Sequence, residues 1–295
     1  MNQSRNPQRT VLIASFCLGI ALGIFRLIVD LAYLEPEVEL YRRGSVPPVI
    51  LKVLLCVCVV LALLTVFVVR KKDQGLTLNN SGTVLSFLAL LLALLILAYV
   101  VVLFVTQLKS GFSTIRPLFG QSDGSSSTAP ADSLSVLLLF VVSFPVAAYY
   151  LVCFFGKKKN ELRAGLSVFP ILFYILIVIH SYFDSSAALN SDPKVMLLLS
   201  LIGCLLFSVE EARAVIEIPR KRTLLAFSCL FMICAIPQGV SSLVLNLSGT
   251  LSSECGLILP CIMIVYPLYA FFSLIRPAPK AEAASAESQK PASNP

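Results

Sequence analysis

Two pairs of ionisable residues stand four positions apart within apolar stretches of the chain: Arg26 with Asp30, and His180 with Asp184. On a helix that spacing puts both members of a pair on one face. An ionisable group deep in hydrocarbon costs at least about 2.5–3.5 kcal/mol, so it faces a cavity or a partner. Arg26 and Asp30 therefore read in two ways: as a neutralised pair whose arginine reaches toward an interface, or as the charged part of a solute-binding site. An imidazole beside a carboxylate suits a proton relay or a pH-sensitive gate. The plainer reading of His180 is an interfacial polar residue. The third candidate is Pro237-Gln238-Gly239 followed by Ser241 and Ser242. Proline removes a backbone donor and glycine loosens the turn. An interrupted helix is expected there, its freed groups satisfied by protein or a water-filled cavity that binds a solute. Pro145, Pro237, Gly239 and Pro267 are the expected hinges or kinks.

Other chemistries lack their residues. The chain has one histidine and no HExxH, CxxC, P-loop or GxSxG pattern. It therefore predicts no metal centre, and no catalytic residue or cofactor is assigned. The nine cysteines fall almost wholly within apolar runs, where a free thiol behaves as a small apolar side chain. Cys255 is the one expected outside, with no partner for a disulfide.

Helices in a membrane must position these groups. Apolar residues make up 57% of the 295 and charged ones 13%, about half the usual charged share of a soluble domain. Such a chain could not cover a soluble core with polar surface. That excludes a cytosolic enzyme, a secreted disulfide scaffold and a disordered protein. A helix needs about 20 apolar residues to cross a bilayer. Eight runs qualify: about 11–34, 49–69, 83–107, 134–155, 166–184, 194–210, 223–246 and 256–275. They are continuous rather than alternating, so helices are expected and not a barrel. The fold class is all-α, a polytopic transmembrane helix bundle. Residues 1–276 are read as one integral membrane domain and 277–295 as a disordered tail. The first run follows Arg5 and Arg9, as in a signal peptide, but it is longer than a signal core and is read as a retained helix.

Lysine and arginine set the orientation. With the N-terminus inside, sixteen of the 23 fall in inner segments and five in outer ones. The positive-inside rule then places both termini in the cytoplasm. The net charge of +7 is thus topological, so nucleic acid is not expected as a partner. The inner basic loops are expected to touch anionic headgroups. No loop is long enough for a domain. The longest, 108–133, carries the low-complexity stretch GQSDGSSSTAPADS. The basic loops 70–76 and 157–166 resemble each other only as the charge rule requires, so no repeat is inferred. In the outer turn EPEVELYRRGSVPP, three acids and two arginines would close a compact lid beside Arg26 and Asp30. At the inner boundary VEEARAVIEIPRKR reads as a solvated helical extension laced by Glu210–Arg213, Arg213–Glu217 and Glu217–Lys221 pairs.

On this topology Arg26, Asp30, His180, Asp184, Gln238, Ser241 and Ser242 all fall in the outer half. A shared vestibule there would hold a small polar or charged solute. The leading reading is a small-solute or ion permease, or a membrane component of a transport complex, in a bacterial plasma membrane. The alternative is a non-catalytic assembly or regulatory subunit with a membrane or cytoplasmic protein partner. That alternative expects every intramembrane charge to be locally paired and the outer cavity to be closed.

Overall fold

A computed structural model describes residues 7–35, 40–42, 44–68, 82–109, 130–155, 160–183, 191–216, 221–249 and 256–275. The long apolar runs are helices: α1 (Pro7–Tyr33), α2 (Val46–Val68), α3 (Thr83–Lys109), α4 (Pro130–Phe155), α5 (Asn160–Leu166), α6 (Val168–Phe183), α7 (Asp192–Val215), α8 (Lys221–Leu247) and α9 (Ile258–Ile275). Eight segments are long and apolar enough to cross a membrane, α5 and α6 together making the fifth. The chain is an all-α, multi-pass membrane bundle. The only strands among the described residues are β1 (Leu34–Glu35) and β2 (Leu40–Tyr41), an antiparallel pair between α1 and α2.

Two expectations change. The sixth span does not stop at 210: α7 continues to Val215 and buries Glu210 and Glu211 almost completely. The extension read as solvated is therefore core at its start, although the Arg213–Glu210 pair forms at 2.7 Å. Glu217 lies outside the described residues, and with it the two further pairs. Secondly, α8 runs as a continuous helix through Pro237 and Gly239 rather than being interrupted there. Pro145 and Pro267 likewise sit inside α4 and α9.

Helix α8 is the axis of the bundle. It is the most buried of the eight spans, α2 the least, and it packs against α1, α2, α7 and α9. Helix α3 packs on α4 and α9, α4 on α6, and α6 on α7, so α7 and α9 join the two groups. Without a hydrophobic drive between helices in lipid, small residues at the contact decide how closely backbones approach. Gly19 of α1 and Gly239 of α8 serve this way. A Cβ at Gly19 would stand 2.7 Å from the Met232 carbonyl oxygen of α8. One at Gly239 would stand 3.0 Å from the Pro260 carbonyl oxygen of α9. Outward faces carry exposed apolar residues such as Ile28, Val53, Leu61, Phe87 and Val141, a belt that a soluble protein does not present and that acyl chains solvate.

Candidate functional site

Helix α1 places Arg26 and Asp30 one turn apart, and the expected pair forms: Arg26 Nε lies 3.2 Å from Asp30 Oδ2. It is sealed, Arg26 being 2% and Asp30 3% exposed. The neighbouring helix supplies the next group. Gly23 brings α1 within van der Waals reach of Pro237 and Val240 on α8, and one turn further on Ser241 donates its hydroxyl proton to Asp30 Oδ2. The other carboxylate oxygen accepts from the Tyr41 phenol. Burial, with the Asp30 carboxylate beside it, pushes the Tyr41 phenol above its ordinary range, so Tyr41 stays a protonated donor. A carboxylate with a guanidinium and two hydroxyl donors has most of its lone pairs occupied, which offsets the cost of taking it out of water.

Tyr41 belongs to the β1–β2 pair, in the turn for which a lid closed by opposite charges is expected. Arg42 faces Glu35 at 3.7 Å on its exposed edge, but a tyrosine, not the acids, reaches Asp30. Glu37, Glu39 and Arg43 lie outside the described residues. Lys52 of α2 stands 5.6 Å from the centre of the Tyr41 ring and 2.5 Å from Asp192 Oδ1 at the start of α7. The lid is thereby tied to α2 and α7, and Asp192 also sits at a helix N-terminus, where a negative charge is favoured.

Gln238 and Ser242 are joined on α8, Gln238 Nε2 donating to Ser242 Oγ at 2.9 Å. Two hydrogen-bonding atoms in this region are buried and have no protein partner: Arg26 Nη1, a donor, and Gln238 Oε1, an acceptor. Leaving such groups unsatisfied costs about 1–3 kcal/mol each, more for a charged one. A small molecule with both an acceptor and a donor would satisfy them.

Arg26, Asp30 and Ser241 thus come together, with Gln238 and Ser242 on the same stretch of α8. His180 does not join them. Its Nδ1 lies 3.2 Å from Ser135 Oγ of α4, and α6 packs on α4 and α7 while α1 packs mainly on α8. Asp184 lies outside the described residues. Equal depth placed His180 in the same vestibule, but depth carries no information about position around the bundle.

A second polar cluster went unread in the sequence. Glu211, 1% exposed, accepts hydrogen bonds from Tyr149 of α4 and Tyr269 of α9, both at 2.9 Å, and from Tyr266 of α9 at 3.3 Å. Tyr150 and Tyr174 are also buried among these rings. The available signal was five of the nine tyrosines lying inside three spans. Among the described residues no group of three His, Cys, Asp or Glu could hold a metal, and the described cysteines are free thiols; Cys255 lies outside them.

Compared with known proteins, the chain matches no family model, no curated protein and no solved structure.

Proposed function

We propose that this integral membrane protein is a small-solute permease of a bacterial plasma membrane, with its binding site at the seam of α1 and α8. One observation carries the reading: a guanidinium donor, Arg26 Nη1, one turn before Asp30, and an amide acceptor, Gln238 Oε1, one turn before Ser241, are both buried and unmatched while Asp30 and Ser241 are bonded to each other. Buried polar groups in proteins are matched as a rule, and ionisable residues inside a membrane face a partner or a solute pathway. Arg26 and Asp30 cancel in charge, so the complementary solute is neutral or zwitterionic, offering a carboxylate or carbonyl to Arg26 and an N–H or O–H to Gln238. The burial of Arg26, Asp30 and Gln238 suits an occluded step of alternating access.

The test is uptake of a mixed metabolite pool into proteoliposomes, read by mass spectrometry. The unsubstituted protein should accumulate at least one small polar species. Gln238→Leu, which keeps volume and removes the acceptor, and Arg26→Ala should each cut that accumulation at least tenfold. No accumulated species counts against a permease. The second reading, an assembly or regulatory subunit, has its own support: the Arg26–Asp30 and Arg213–Glu210 pairs each lie within one helix, and the Arg26–Asp30 pair is sealed. It expects the seam variants to leave uptake at background and a co-purifying membrane partner to be lost on disruption of the Tyr41 lid.

A further inference from the structure

We propose that Glu211 is a proton-binding site whose occupancy is read by α5 through Arg163. This does not depend on the solute site, because none of its residues belongs to the α1–α8 seam. Glu211 lies one turn from the end of α7. From every helix around it a titratable or charged group faces in. Helix α4 contributes Tyr149, Tyr150 and Cys153, α6 contributes Tyr174, α9 contributes Tyr266 and Tyr269, and α5 contributes Arg163. On α7 itself, Glu210 is turned to Arg213 and Ser208 bonds the Tyr266 hydroxyl at 2.8 Å.

The chemistry of this shell suits a site that exchanges a proton. Phenol hydroxyls donate or accept by rotating one bond. Three of them donate to the carboxylate here, and any one can turn to accept from the acid. The Tyr150 and Tyr174 hydroxyls are wholly buried without a partner, so the shell holds unused hydrogen-bonding capacity beside the carboxylate. Taking up the proton forms one O–H bond on Glu211 and removes one proton from water at that end of the bundle; nothing is oxidised or reduced.

The readout is Arg163. Its guanidinium lies 5.8 Å from the centre of the Tyr149 ring, buried and in electrostatic contact with Glu211. It is carried on a seven-residue helix that Ser167 alone separates from α6, so the break at Ser167 is where α5 would pivot. Protonation of Glu211 removes one negative charge from the surroundings of this guanidinium, and attraction between opposite charges is strong in a buried setting. Arg163 is then drawn toward water and headgroups, with α5 following.

The chain has nine tyrosines and no tryptophan, so its intrinsic emission is tyrosine emission, and five of the nine lie in this cluster. A carboxylate that accepts from phenols quenches them. Acidifying the intact protein in nanodiscs should raise emission in a single one-proton step, absent in Glu211→Gln. A nitroxide on Gly165→Cys, where an added Cβ meets nothing within 4 Å, should gain mobility with the same midpoint, with the unsubstituted protein labelled in parallel as the blank. Flat emission in the unsubstituted protein, or an identical step in Glu211→Gln, overturns the site. A step in emission without a change in label mobility overturns the readout through α5. Should Glu211→Gln fail to assemble, Tyr269→Phe decides. Loss of one donor must displace the midpoint, and an unmoved midpoint overturns the site.

Discussion

Asp30 shows how a carboxyl group is accommodated inside a membrane by partners drawn from three places: Arg26 on its own helix, Ser241 on α8 and Tyr41 on the hairpin. Removing one member of a buried pair strands the other, at about 3–5 kcal/mol, whereas replacing both by apolar groups is often close to neutral. Asp30→Asn should therefore destabilise by about that amount, while Arg26→Met combined with Asp30→Asn should recover most of the loss, read from thermal unfolding in detergent. Equal melting of the single and double variants would show that the pair is not what holds the lid side together. Only part of this network was legible. The Arg26–Asp30 pair follows from i,i+4 spacing. Ser241 was recognisable by depth alone, because nothing in one sequence says which helix lies beside which. Tyr41 gave no signal, since a tyrosine in a turn looks like an interfacial anchor. Glu211 was misread because an acidic pair at the end of an apolar run marks a helix leaving the membrane, unless tyrosines from other spans receive it.

Helices α1 and α8 approach through the Gly19–Gly23 face of α1, and the two glycines are not equivalent. A Cβ at Gly19 meets backbone at 2.7 Å, which cannot move without shifting α8, whereas at Gly23 the nearest atoms are 3.5 Å away. Gly19→Ala should cost about 1–3 kcal/mol, as overpacking does. Gly23→Ala should be neutral, or stabilising by up to about 1 kcal/mol from helix propensity. Melting temperatures of the two variants in one detergent make the comparison, and similar values would show that the helices are not in close contact at Gly19. The same seam carries the proposed solute site, so Gly19→Ala should also lower any uptake that the unsubstituted protein supports. At this scale the sequence was informative. Runs of apolar residues placed all eight spans, since a span is set by a length of hydrocarbon that composition alone must match. Pro237 misled, because neighbouring helices can satisfy what a proline leaves open. Ser200 of α7, for example, donates its hydroxyl to the Cys234 carbonyl oxygen at 2.8 Å, one residue past the Ile233 carbonyl that Pro237 deprives of its donor.

For the whole molecule, the two polar clusters lie toward opposite ends of the bundle, and the distribution of basic residues decides what each end faces. The Asp30 network is near the end at which α1 finishes and α2 begins. The Glu211 cluster is near the end at which α4, α7 and α9 finish. Sixteen basic residues flank the second end and five the first, a bias that the positive-inside rule reads as cytoplasmic at the Glu211 end. The lid would then face outward and α5 would face the cytoplasm, so an external solute and an internal proton would act on separate sides. Single reporter cysteines added in 110–129 and in 277–295 distinguish the two orientations when treated with a membrane-impermeant maleimide on intact cells. The first should label at once and the second only after permeabilisation. If the tail labels from outside, the orientation is reversed: the α1–α8 site would then lie toward the cytoplasm, and Glu211 would exchange its proton with the exterior.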